Sequence, residues 1–177
     1  HGIIHRDLKP QNIMLTELGG EQDFVKVLDF GIARFRNKDD GKDLTNTGNP
    51  EERELIGTPR YMSPEQVRGE DLTGASDVYS LGLMCYEMLT GQPAVQGNSM
   101  MALITQQVSQ DPLNLPFVHN FHPLIQQIIL KATHKNLNMR YRTVDLLAVE
   151  LEQALMELKR ERSSNSTDFL MNHQYDQ

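Results

Sequence analysis

The chain has 177 residues, 38% of them hydrophobic, enough to bury one sizeable core, so a single domain is expected. A formal net charge of −7 and no block of consecutive basic residues argue against nucleic acid as the main partner. No apolar run is long enough to span a bilayer and there is no signal-peptide pattern, so no membrane segment is expected within the chain; a single cysteine, Cys85, rules out an internal disulfide and suits a reducing compartment.

Taken in order, the elements are short strands followed by helices. Ile3-Ile4 and Ile13-Met14-Leu15 are brief apolar runs, and residues 3–5 and 12–15 read as strands on either side of a polar loop. Pro10 stops a helix there and forces an extended approach at Lys9. Gly19-Gly20 signals a turn, after which Phe24-Val25-Lys26-Val27-Leu28 alternates as a half-buried strand does. The two strands make a hairpin, and antiparallel pairing brings Asn12, at the start of one arm, beside Asp29, at the end of the other. Arg34 to Leu55 is polar and without sustained periodicity, a mobile surface loop of a length that is usually functional.

Helical spacing begins at Ser76. Val78, Leu81, Met84-Cys85 and Met88-Leu89 predict a helix over 76–89 with a wide buried face, capped by Ser76 or Thr73 and ended by Gly91. Cys85 falls within that pattern and reads as a packing residue. Further helices are predicted over 99–108, over 123–134 with Pro123 in its first turn, and over 144–161 with Thr143 as its cap. Residues 163–177 read as a polar, disordered tail or linker.

Three motifs carry chemistry. His5-Arg6-Asp7-Leu8-Lys9-Pro10-Gln11-Asn12 puts an acid, a cation and an amide on one rigid loop, the arrangement that catalysis by positioning requires. Asp29-Phe30-Gly31 and Ser63-Pro64-Glu65 follow in order at workable spacings. Together they resemble the catalytic-loop, metal-binding and Ala-Pro-Glu signatures of the serine/threonine protein kinase catalytic domain, closest to its bacterial eukaryote-like branch. The resemblance implies an α+β fold, the helix-rich C-terminal lobe of a protein-kinase-like domain with a short β-hairpin and the N-terminal lobe absent. That domain would span residues 1–162, with a catalytic loop at 5–12 and an activation segment at 29–65.

The resemblance also implies roles. Asp7 matches the carboxylate that accepts the proton of the attacking hydroxyl. Asn12 and Asp29 match the ligands of Mg²⁺ (or Mn²⁺), a hard cation that accepts oxygen donors and keeps several waters. Lys9, two residues after Asp7, is the pattern of kinases acting on Ser and Thr, and its ammonium would approach the γ-phosphate of ATP. Thr58 would bond to Asp7 and Lys9. Glu65 and Arg140 match a buried ion pair, and Asp77 a helix residue that bonds the catalytic-loop backbone from beneath. Arg6 is a cation in need of an anion, typical of kinases switched by phosphorylation of the activation loop, with Thr45 and Thr47 the candidate sites. Ser63 in place of the usual Ala, and Asn136-Leu137 in place of a common Asp-Pro, depart from the family pattern.

No Gly-rich phosphate loop, strand lysine or partner glutamate occurs in residues 1–177. With His as its first residue, the chain is therefore expected to be an internal piece of a longer protein, supplying ATP binding jointly with a missing N-terminal lobe and inactive alone. Apolar surface over residues 3–15 and the 76–89 helix should then be exposed. The function expected is transfer of the ATP γ-phosphate to Ser/Thr hydroxyls of protein substrates, in the cytoplasm, as the cytosolic part of a larger protein that a membrane anchor could hold. The alternative is a non-catalytic, pseudokinase-like protein-binding module, which would have no chemical need for Asp7, Lys9, Asn12 and Asp29.

Overall fold

The structure, a computed structural model, describes residues 3–29 and 59–172, without the side chains of Glu21 and 164–172. Among the described residues two strands, β1 (Ile13–Leu18) and β2 (Glu21–Val27), and five α-helices are present: α1 (Pro64–Arg68), α2 (Gly74–Thr90), α3 (Met100–Val108), α4 (Pro123–Ala132) and α5 (Val144–Asn172). The strands pair antiparallel, from Ile13 opposite Val27 to Leu18 opposite Glu21, about a turn in which Gly19 and Gly20 both take positive φ, the region glycine enters without a Cβ clash. The register shifts between Thr16 and Leu18, where β2 has one residue too many. Asp23, at φ 63°, absorbs that bulge.

Helix α2 is the centre of the molecule. Thr73 caps it, its hydroxyl accepting from Ala75 N, and Gly91 ends it in the left-handed conformation. Tyr79, Leu83 and Met84 pack with Leu8, Tyr61, Val95 and Leu103 on one side. Val78 joins Ile128, Ala132, Tyr141 and Leu147 on a second, and Tyr86 joins Leu115, Val118 and Ile129 on a third. Each fully buried aliphatic or aromatic side chain in these clusters contributes roughly 1.5–3 kcal/mol. α2 can be reached so closely because Gly82 has no side chain: a Cβ there would lie 2.8 Å from Ala132 Cβ and 2.9 Å from Thr133 Cγ2. Gly82→Ala should therefore overpack the α2–α4 contact and cost roughly 1–3 kcal/mol, read as a lowered denaturation midpoint. A neutral result would mean that α4 is free to retreat.

Three expectations need correction. Residues 3–5 are not a strand: they have no partner strand, and the backbone N–H groups of His5 and Arg6 are taken instead by the Asp77 carboxylate. Helix α5 continues past Ser163 to Asn172, through residues expected to begin a disordered linker. Of the two places expected to expose apolar surface, the first does so and the second largely does not. The hairpin presents Met14, Leu15, Leu18 and Val25 to solvent, and Ile3 is 70% exposed. By contrast α2 is covered along most of its length, and only its last turn shows Met88 and Leu89.

Candidate active site

The loop between residue 5 and β1 is held by three anchors. Asp77, on the first turn of α2 and only 6% exposed, accepts from His5 N at 2.7 Å through Oδ2 and from Arg6 N at 3.0 Å through Oδ1. Gln66 of α1 donates to Arg6 O at 2.6 Å. His5 is buried, with Nδ1 accepting from Asp7 N at 3.3 Å and Nε2 2.9 Å from Leu28 O. With Nδ1 accepting from Asp7 N and Nε2 facing Leu28 O, the ring bridges the loop to the end of β2. Arg6, at φ 70°, is held in a conformation that costs a non-glycine residue on the order of 1–3 kcal/mol, and anchoring on both its N–H and its C=O sustains it.

On this frame the polar side chains converge. Lys9 Nζ lies 2.9 Å from Asp7 Oδ2, with side-chain exposures of 17% and 26%. Asn12, buried within the turn Pro10–Asn12 that follows the extended Lys9, donates through Nδ2 to Asp7 O at 2.7 Å and to Asp7 Oδ2 at 3.1 Å. Two donors thus occupy Oδ2, and among the described residues none bonds Oδ1, which leaves that oxygen of Asp7 for a further hydrogen. With its nitrogen committed, Asn12 has its amide oxygen to offer elsewhere. The hairpin base is closed by Leu28 N donating to Asn12 O at 2.8 Å, which sets Asp29 next in the chain. Asp29 is exposed and at φ 51°, another strained position at the same place.

The structure therefore brings Asp7, Lys9 and Asn12 into direct contact and puts Asp29 at the neighbouring strand end. Thr58, Phe30 and Gly31, and the candidate phosphorylation sites Thr45 and Thr47, lie outside the described residues. A cavity of about 10 Å³ separates Asp7 and Lys9 from Tyr61, Met62 and Ser80, space for little more than one water, so the segment after residue 59 packs directly against the loop. Among the described residues no group of three or more His, Cys, Asp or Glu side chains could hold a metal ion. The amide oxygen of Asn12 and the carboxylate of Asp29 at the hairpin base are hard oxygen donors of the kind Mg²⁺ accepts, and the ion would take its remaining ligands from phosphates and water.

Behind the site, Arg140 binds Glu65 in a fork, Nη1 to Oε1 at 2.8 Å and Nη2 to Oε2 at 3.0 Å. It also donates to Ala75 O at 3.0 Å, His134 O at 2.6 Å and Lys135 O at 3.2 Å, and its guanidinium lies 4.6 Å from the centroid of the Tyr79 ring. Burial alone would raise the Glu65 carboxyl, but the hydrogen bonds and positive charge of Arg140 outweigh it and hold the group below the usual carboxylate range. Sequence reasoning missed His5 and Gln66 as anchors. His5 stood in the motif but carried no assigned role, and nothing local marks Gln66 as reaching Arg6, 60 positions away.

The sequence pattern of the protein kinase domain matches residues 1–151. The chain belongs to the protein kinase family. Among curated proteins it is 44% identical to the serine/threonine-protein kinase PknB of Mycolicibacterium smegmatis over 160 residues, covering 87% of this chain and 24% of that protein. It is 38% identical to the serine/threonine-protein kinase pkn3 of Myxococcus xanthus over 179 residues, covering 96% and 32%. With PknB of Mycobacterium tuberculosis H37Rv the figure is 41% over 152 residues, covering 85% and 23%. The chain thus spans about a quarter to a third of the length of these relatives. The expected likeness of this kinase domain to the bacterial eukaryote-like serine/threonine branch holds, as does its helix-rich α+β fold with a two-stranded sheet. No helix among the described residues is long and apolar enough to cross a membrane.

Proposed function

We propose that the protein of which this kinase domain is part transfers the γ-phosphate of ATP to serine or threonine hydroxyls of protein substrates. The observation that carries the reading is the convergence on Asp7: Lys9 Nζ and Asn12 Nδ2 both bond its Oδ2, at 2.9 and 3.1 Å. A carboxylate fixed through one oxygen presents the other to an incoming hydroxyl in a set direction, orienting it and accepting its proton. Lys9, beside Asp7, is a cation placed where negative charge grows on the transferred group. Asn12 and Asp29 would hold Mg²⁺ (or Mn²⁺), which when bound neutralises charge on the phosphate oxygens. Thr58 would orient Asp7 and Lys9 from the segment that enters at Pro59. Glu65–Arg140 and Asp77 keep these parts in register and touch no reactant.

Arg6 supplies a fixed cation at the loop, and phosphorylation of Thr45 or Thr47 would add an anion of charge about −1.5 to −2 able to order its segment against it. The protein substrates meet the kinase in the cytoplasm. Incubation with labelled ATP and Mg²⁺ tests the reading. Label should appear as phosphoserine or phosphothreonine on an acceptor protein and on Thr45 or Thr47 of the kinase itself. Label on tyrosine alone, or none at all, would remove the proposed activity; full activity in a Thr45→Ala/Thr47→Ala variant would remove only the switch.

A further inference from the structure

One buried polar chain lies outside the groups used so far. Gln107, near the end of α3, has no solvent exposure, yet both ends of its amide are engaged. Tyr79 OH, equally buried on α2, is 2.5 Å from Gln107 Oε1. Gln107 Nε2 in turn donates to Arg60 O at 2.8 Å and to Pro59 O at 3.2 Å. The direction of the chain is set from its far end. Lys135 Nζ, its pKa pushed down to about 8 by burial and the nearby Arg140 and Arg68 but a pure donor below that pH, lies 3.4 Å from Tyr79 OH, and it caps the end of α3 through Gln107 O at 3.0 Å and Gln106 O at 2.5 Å. A tyrosine hydroxyl that accepts from lysine spends its own hydrogen on Gln107. Burial pushes that hydroxyl above its ordinary value, so it remains a donor. The amide of Gln107 can then face only one way, with its two N–H bonds toward the Pro59–Arg60 carbonyls.

Those carbonyls belong to the turn Pro59–Tyr61, whose last residue is tied to α2 by Ser80 Oγ donating to Tyr61 O at 2.7 Å. Tyr61 and Met62 wall the small cavity opposite Asp7 and Lys9. On the reading above the nucleotide is held from the hairpin side, at Asn12 and Asp29, which leaves the Tyr61–Met62 side of Asp7 to the polypeptide that brings the hydroxyl. We infer that Gln107 is a positioning residue for the polypeptide acceptor, holding the Pro59–Tyr61 turn at the height from which a serine or threonine reaches Asp7. The inference rests on the kinase reading given above and adds to it a device that acts on one substrate and not on the other.

The experiment is steady-state transfer by the whole protein, with myelin basic protein as acceptor, varying acceptor and ATP in turn. Gln107→Met keeps volume and leaves two buried carbonyls without their donor, which should raise the acceptor KM roughly tenfold while the KM for ATP stays within about twofold. Tyr79→Phe keeps the ring beneath Arg140 and frees the amide to turn, giving the same split at a few-fold size; it decides the matter if Gln107→Met does not fold. An unchanged acceptor KM, or an ATP KM that rises in step with it, overturns the inference, since a purely structural defect would spare neither substrate. No transfer by the parent protein would sink the kinase reading and this inference with it; transfer with indifferent variants sinks this inference alone.

Discussion

Asp7→Asn should abolish most of the phosphate transfer while leaving the fold in place. The amide keeps the shape of the carboxylate and can still accept from Lys9 and Asn12 at 2.9 and 3.1 Å, but it offers no basic oxygen to an incoming hydroxyl. Loss of a positioned proton acceptor lowers kcat by roughly 10²–10⁴-fold. The Lys9–Asp7 ion pair is partly exposed, so its removal should change stability by no more than about 1 kcal/mol. Labelled-ATP transfer measured beside thermal denaturation separates the two effects. A kcat within tenfold of the parent would show that Asp7 is not the acceptor and that the contacts with Lys9 and Asn12 serve only to shape the loop.

The largest stability effect is expected at Arg140. Its side chain is fully buried and Glu65 is 4% exposed, so Arg140→Met strands a carboxylate away from water and releases the carbonyls of Ala75, His134 and Lys135. Breaking one side of such a pair costs roughly 3–5 kcal/mol, a fall of roughly 10 °C in melting temperature for a chain of this size. Adding Glu65→Gln should recover part of the loss, because the uncompensated charge is then gone. The pH dependence has a definite sign. The folded Glu65 carboxyl sits below its ordinary 4.5, so its stabilising contribution is fully present above that value and is lost as pH falls through the lower folded value. The parent should therefore lose acid stability that the double variant lacks. A single Arg140→Met change costing under about 1 kcal/mol would mean the ion pair is not what joins α1 to the helical body.

The helical half of the fold was legible from the chain because its signals are local. Val78, Leu81 and Met84 set the period of α2 and Gly91 marks its end; of the two caps the sequence offered, Ser76 and Thr73, the structure uses Thr73, so the helix begins at Gly74, ahead of the expected residue 76. Ser99, Pro123 and Thr143 mark the starts of α3, α4 and α5. Residues 3–5 misled because two isoleucines carry a strand's apolar signal without saying whether a neighbour exists, and a carboxylate 72 positions away decided the backbone instead. The polar run after Ser163 looked like a linker because composition registers lost hydrophobicity sooner than lost helix. At the site, the positions of Asp7, Lys9, Asn12 and Asp29 could be read from the motifs. Gln107 could not: an amide in a helix reads as solvent-facing, and only the packing of α2, α3 and the 59–61 turn shows that it is fully enclosed.

The hairpin has one further consequence. Among the described residues Ile13 is the hairpin side chain packed against the cluster around Leu8 and Tyr79, Met14, Leu15, Leu18 and Val25 are exposed, and the hairpin is fastened at its base by the Leu28–Asn12 and His5–Leu28 bonds. Asp29 therefore lies just beyond those two bonds, whereas Asp7 sits on the loop that Asp77 and Gln66 tie to the helices. Fraying at those two bonds would part Asp29 from Asp7 while the helices stayed intact, at a small fraction of the energy needed to unfold the domain.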